Sequence, residues 1–159
     1  MSDDSSPANA GVHFPPPLLY VAGIVAGWLA HRAHRLPITG HPSALRSALV
    51  IAFGLGWLAL LAPAWSGFLR KRTTIIPNRP AAALVTSGVY RLTRNPMYVS
   101  LVLLYLAVTL ALDSWWPLFF LPLVVIAVDR LVIRREERYL AHAFPGEYDE
   151  YRRRVRRWI

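Results

Sequence analysis

The sequence predicts an all-α, polytopic membrane protein with about four transmembrane helices, the last two a helical hairpin, followed by an amphipathic cytoplasmic segment. Three observations lead there. Of the 159 residues, 55% are apolar although the formal net charge is +9; lipid-facing helices absorb such apolar residues while flanking loops carry the charge. The apolar residues gather in four runs separated by polar segments. The basic residues fall almost entirely on one side of a four-span arrangement.

Taken in order, residues 1–13 read as a disordered lead-in, acidic and polar where a cleavable signal would carry a basic region. Residues 14–159 then form one membrane domain. The first run, Phe14 to Ala30, opens on Pro15-Pro16-Pro17, which a helix tolerates at its start. Within it Gly23 and Gly27 form G-x-x-x-G, a pattern for close helix contact inside the chain or between protomers. The second run, Ser47 to Leu69, is uninterrupted and long enough to span. The third and fourth, Val99 to Leu112 and Trp115 to Val128, are split by Asp113-Ser114, with Ser114 an N-cap and Pro117 in the next first turn. Each is short of the ~20 residues a span needs, so amphipathic extensions at Asn95 to Tyr98 and Asp129 to Arg135 are expected.

Charge sets the orientation. In a four-span arrangement Arg32, Arg35 and Arg46 share one side with the Asp113 turn. The other side carries fourteen basic residues: Arg70, Lys71, Arg72, Arg79, Arg91, Arg94, Arg134, Arg135, Arg138, Arg152, Arg153, Arg154, Arg156 and Arg157. The positive-inside rule therefore predicts that both termini are cytoplasmic. The chain has no cysteine, which excludes disulfides, thiolate nucleophiles and cysteine-ligated metals. His31, His34 and His41 lack a carboxylate partner nearby, so no metal site is expected.

Two polar segments on the basic side can carry chemistry. The first, Leu84 to Tyr98, contains Ser87-Gly88-Val89-Tyr90 and then Arg94-Asn95-Pro96-Met97-Tyr98 at the mouth of the third helix. Gly88 permits close backbone approach or positive φ, and Arg94 beside a helix N-terminus can hold a carboxylate or phosphate. A basic loop touching lipid headgroups is the alternative. The second segment carries Glu136-Glu137 where the fourth helix leaves the bilayer, a position that suits a cationic group such as an amino-acid ammonium. Beyond Pro145-Gly146, Tyr148, Tyr151, Val155 and Trp158 fall at helical spacing among arginines. They predict an amphipathic helix, packed on the membrane core or lying among headgroups.

The order S-G-x-Y, R-N-P-M-Y, an apolar hairpin, E-E-x-x-L-x-x-x-F, Y-x-x-Y and R-W-I resembles the isoprenylcysteine carboxyl methyltransferase and phospholipid methyltransferase group, over about Thr73 to Ile159. The resemblance implies an integral membrane enzyme, in small bacterial members at the inner membrane, that moves a methyl from S-adenosylmethionine to a lipid-associated carboxylate or amine. It implies cofactor contacts from Ala82, Ala83, Leu84, Val85, Gly88, Tyr90, Asn95, Pro96, Met97, Tyr98, Glu136 and Glu137. Arg94, Asn95 and Glu136 are the expected catalytic residues. Two departures stand out: Asn95 replaces a histidine and Ser100 a glycine of the usual pattern. Asparagine still donates and accepts hydrogen bonds but cannot shuttle a proton. The eukaryotic prenylcysteine enzymes place a substrate arginine near the position of Val132; here Arg130 and Arg134 are the nearest candidates for binding substrate. A carboxylate acceptor would arrive nucleophilic, whereas an amine must lose a proton, with Asp129, Glu136 or Glu137 the acidic groups at hand. A membrane reductase using NADPH on a related core, or a non-catalytic protein keeping the fold, are the other readings.

Overall fold

The computed structural model describes Gly11, residues 14–70 and residues 82–159; the rest of the lead-in, Lys71, Arg72, Arg79 and the expected start of the core at Thr73 lie outside these. Among the described residues every regular element is helical. Helix α1 spans Pro17–Ala33, α2 Ala44–Arg70, α3 Pro96–Ala111, α4 Trp116–Val128, α5 Arg134–Ala143 and α6 Glu147–Arg154. A 3-10 turn occupies Gly88–Arg91, and a π turn, Asp129–Ile133, joins α4 to α5.

The starts follow from proline chemistry. Pro17 and Pro96 stand at the first helical position, where a missing N–H costs nothing. Helix α1 therefore begins three residues later than Phe14, with Leu18 and Leu19 donating back to the carbonyls of Pro15 and Pro16. Ser114 serves close to its expected place: its Oγ accepts the Trp116 N–H at 3.3 Å, although Trp115 is the boundary residue.

Among the described residues two helices are long and apolar enough to cross a bilayer: α2, 27 residues, and the continuous Trp116–Ala143 stretch of 28 residues, each containing an 18-residue window of mean hydropathy 2.0. The fourth apolar run continues as helix through the expected Asp129 to Arg135 extension and on to Ala143. The π turn keeps the chain helical past Val128, each N–H reaching one residue further back for its acceptor, as Arg134 N–H does to Asp129 O. Helix α2 buries only Ala64, and Leu45, Ile51, Leu55 and Leu69 are all more than half accessible. An apolar surface of that extent has lipid as its solvent. The chain is a membrane protein.

Packing follows chain order for α2 and α3 but not for α4, which returns to α1. Helix α3 lies chiefly against α2, and α4 chiefly against α1. Gly23 and Gly27 explain the second pairing. A Cβ at Gly23 would sit 2.5 Å from Val124 Cγ2, and one at Gly27 2.5 Å from Pro117 Cα. The G-x-x-x-G face is consumed inside the chain. Tyr105 crosses from α3 to donate to the Pro117 carbonyl at 2.7 Å, and Tyr20 of α1 donates to the Tyr98 carbonyl at 3.2 Å.

At one end of the bundle the Asp113 carboxylate gathers the loop between α1 and α2. It accepts the backbone N–H groups of Ile38, Thr39 and Gly40 at 3.2, 2.9 and 3.0 Å, the Thr39 hydroxyl at 3.2 Å, and an ion pair from Arg46. The Arg46 guanidinium, with these N–H donors, holds the Asp113 carboxyl well below the usual aspartate range. At the other end, α6 closes over the loop before α3. The predicted helix through Trp158 stops at Arg154, and Val155 is extended. The physical reason is hydrogen bonding: the carbonyls of Arg156 and Arg157 face outward from the tail to accept the Arg94 N–H at 2.9 Å, the Thr93 hydroxyl at 3.0 Å and the Asn95 amide at 3.0 Å.

Candidate functional site

Residues 84–101 and 136–151 meet at the α6 end around a cavity of about 410 Å³, within the size range of small-molecule sites. Its walls come from six places. The loop before α3 supplies Leu84, Val85 and Tyr90; the mouth of α3 supplies Arg94, Asn95, Pro96, Met97, Tyr98 and Leu101. Glu136, Glu137 and Leu140 come from α5, and Tyr148 and Tyr151 from α6. Helix α2 adds Trp57, Leu61, Trp65 and Phe68, while Pro16 and Pro17 at the start of α1 complete the lining.

Local sequence explains each placement. Gly88 turns the chain at φ +63°, which a side chain would strain; nothing lies where its Cβ would be, so φ alone requires glycine. The 3-10 turn that follows buries Tyr90, whose carbonyl accepts the Tyr151 hydroxyl at 2.7 Å. Tyr148 and Tyr151, only 2% and 4% exposed, belong to the core that joins α2, this loop and α6. The tyrosine stripe of α6 packs inward. Asn95 commits its side-chain amide to the Arg157 carbonyl and its own N–H to the Thr93 hydroxyl at 3.2 Å. Ser100 is fully buried and returns its hydroxyl to the Met97 carbonyl at 2.7 Å, so the departure from glycine leaves no unsatisfied group.

The polar end of the cavity is a chain of charges. The Tyr98 hydroxyl donates to Glu136 Oε1 at 2.8 Å. Glu137 receives Arg157 through both oxygens, at 3.1 and 2.5 Å, and Arg94 Nη1 lies 3.4 Å from it. Arg157 also reaches Asp129 at 3.3 Å, and its hydrogen bond with Glu137 raises its pKa further. Burial, with the Glu137 charge second, pushes the nearby Tyr148 hydroxyl up to about 12, so it stays protonated and able to donate. Two donors on residues that line the cavity have no partner: Arg94 Nε and Trp57 Nε1 are both buried without an acceptor. An unsatisfied buried N–H costs about 1–3 kcal/mol, a cost that an acceptor entering the cavity removes.

Of the residues singled out by sequence, Leu84, Val85, Tyr90, Arg94, Asn95, Pro96, Met97, Tyr98, Glu136 and Glu137 line this one cavity. Gly88 is exposed at its turn, and Ala82 and Ala83 do not reach the lining. Arg130 and Arg134 face a separate basic cleft on the far side of Glu137. The α2 residues were not foreseen. Trp57, Leu61, Trp65 and Phe68 share one helical face, but in a helix apolar all round that face carries no contrast to reveal it. Arg157 was read only as part of a basic tail.

A helical membrane chain with a cavity that is aromatic at one end and charged at the other defines a class: a bilayer-embedded protein with room for a small, partly polar ligand. The family model for phospholipid methyltransferase matches residues 47–147. The chain belongs to that family, a family of methyltransferases acting on membrane lipids. It is 38% identical to an uncharacterized protein of Haemophilus influenzae over 63 residues, 40% of this chain and all of that one. It is 42% identical over 80 residues to the cobalt-zinc-cadmium resistance protein CzcN of Cupriavidus metallidurans, a match covering 50% of this chain and 37% of CzcN. No solved structure matches.

Proposed function

We propose that the chain transfers a methyl group from S-adenosylmethionine to a lipid-borne acceptor at the cytoplasmic face, with both reactants in the 410 Å³ cavity. The observation that carries this reading is the pair of unpartnered donors, Arg94 Nε and Trp57 Nε1, in a cavity that also presents the Glu136 carboxylate. An amino-acid end of a ligand needs a cation for its carboxylate and an anion for its ammonium, and Arg94 and Glu136 offer one of each. S-adenosylmethionine supplies an electrophilic methyl on a sulfonium. Leu84, Val85 and Tyr90 give an apolar wall for a flat ring, while Met97 and Tyr98 close the floor at the mouth of α3. Asn95 supports that floor by tying it to the C-terminal tail.

Helix α2 fits the acceptor. Trp57, Leu61, Trp65 and Phe68 extend the apolar part of the cavity along a helix exposed to lipid, so an acyl chain can lie there without meeting water. Positioning and exclusion of water then supply most of the catalysis. If the acceptor is an amine, its proton must pass to a carboxylate at this end of the bundle, where Glu136, Glu137 and Asp129 are the groups at hand. The fold reading that goes with this is four spans, with α1 and α3 crossing beside α2 and α4–α5, and both termini in the cytoplasm.

Two measurements test the proposal. Purified protein in detergent should bind S-adenosylhomocysteine by titration calorimetry and gain melting temperature from it. Absence of heat at millimolar ligand, or binding of NADPH instead, would overturn it. Reporter fusions at Thr39 and Ile159 should give opposite signals; matching signals would remove the four-span topology.

A further inference from the structure

We propose that the basic cleft beside the cavity is a site for the headgroup phosphate of an anionic membrane lipid, separate from the methyl-transfer cavity and independent of that reading. The cleft is lined by Arg130, Arg134 and Arg138 from the π turn and α5, His142 further along α5, Arg152 from α6 and Arg157 from the tail, with Glu137 as its one acidic wall residue. Spacing of four places the first three arginines along one side of the helix.

Local carboxylates do not neutralise this cluster. Asp129 is occupied by Arg134 at 2.9 Å and Arg157 at 3.3 Å, Glu137 by Arg157 and Arg94, and Asp149 by Arg152 at 3.1 Å. Among the described residues Arg130 and Arg138 make no ion pair; Arg138 spends only Nε, on the Arg134 carbonyl at 3.3 Å. Two guanidiniums therefore face the cleft with free donors, the arrangement that grips a phosphate through several oxygens.

The surroundings choose the source of that phosphate. The cleft begins where the apolar part of the α4–α5 helix ends. Above it the outer surface is apolar, with Leu123, Ile126 and Leu131 at 63%, 56% and 41% exposure. A lipid whose chains lie along that surface brings its phosphate to the level of Arg130. A soluble phosphate would use the arginines and leave the apolar surface bare.

The test uses the full chain in an uncharged detergent, with melting temperature as the readout for dihexanoyl phosphatidylglycerol, dihexanoyl phosphatidylcholine and inorganic phosphate. Phosphatidylglycerol should give a saturable rise, and the other two none at equal concentration. The double variant Arg130→Gln/Arg138→Gln should need roughly 30-fold more phosphatidylglycerol, and Arg130→Gln alone roughly fivefold more. Arg153→Gln, outside the cleft, should respond as wild type. Should the double variant not fold, the single one decides. A wild-type response from the arginine variants, or an equal rise with phosphatidylcholine, overturns the site. An equal rise with inorganic phosphate overturns the lipid as its occupant.

Discussion

The two ends of the bundle are both polar, yet they are polar in different ways. At the Asp113 end one carboxylate accepts three backbone N–H groups, a hydroxyl and a guanidinium, and these contacts join the α3–α4 turn to the loop after α1 and to the first turn of α2. At the α6 end the charges are more numerous and incompletely used: Arg94 Nε and Trp57 Nε1 are buried without acceptors and Glu136 holds only a tyrosine hydroxyl. Native structures satisfy nearly all buried polar groups, so a satisfied cluster reads as structure and an unsatisfied one as a place for a ligand. The family match reaches both ends and does not separate them; hydrogen-bond accounting separates them by degree, since the Asp113 end leaves one buried ring nitrogen unpartnered, His31 Nδ1, against two N–H donors on residues around the cavity.

The sharpest way to break this contrast is to remove the satisfied carboxylate. Asp113→Ala orphans several donors at once, and each hydrogen bond to a charged group is worth about 1.5–3 kcal/mol before solvent exposure reduces it. A loss of about 3 kcal/mol in unfolding stability is expected, with S-adenosylhomocysteine affinity nearly unchanged. The pH dependence has a defined sign. Because the folded Asp113 carboxyl is depressed, its contribution is complete above the unfolded value of about 3.9 and is lost as pH falls below that. Asp113→Asn should flatten the wild-type decline in melting temperature on the acid side. A fall in ligand affinity matching the fall in stability would show that the two ends are not independent.

Next in size is the unsatisfied end. Glu136→Gln keeps shape and hydrogen bonding to Tyr98 but removes the charge offered to a ligand ammonium. It should weaken S-adenosylhomocysteine binding by about 1.5–3 kcal/mol and leave melting temperature in the absence of ligand close to wild type. Arg153→Ala, on the exposed side of α6, serves as the comparison and should not change affinity. Equal, negligible losses at both positions on calorimetric titration would show that Glu136 does not face the ligand.

Much of the contrast was legible in sequence, and what was not has physical causes. Pro17, Pro96 and the Asp113-Ser114 break marked helix boundaries because proline and short polar residues act locally. The meeting of Arg94, Tyr98 and Glu136 followed from a turn that returns the chain to the same end. The α2 wall was hidden because Trp57 and Trp65 look like any lipid-facing aromatic. The tail was misread as helix to Trp158 because its anchors are the carbonyls of Arg156 and Arg157, and a backbone acceptor has no residue signature. The π turn was invisible for a similar reason: hydropathy reports burial at Val132 and Ile133 but not the hydrogen-bond register that sets Arg130 and Arg134 outward.

The smallest expected effect is also the one that separates positioning from binding. Tyr98 donates to Glu136 at 2.8 Å across the cavity wall, joining α3 to α5. Tyr98→Phe removes one hydroxyl without opening a void, a change worth about 0.5–1.5 kcal/mol. If the hydroxyl merely orients the carboxyl group, Glu136 remains available to the ligand, so S-adenosylhomocysteine affinity should drop about threefold to tenfold, less than for Glu136→Gln. In the double variant Tyr98→Phe/Glu136→Gln the tyrosine should then add almost nothing, because the group it orients is gone. That non-additivity is what a shared role predicts. Strict additivity of the two losses by calorimetry would assign the Tyr98 hydroxyl a contact of its own with the ligand and would separate the two residues that this end of the bundle brings together.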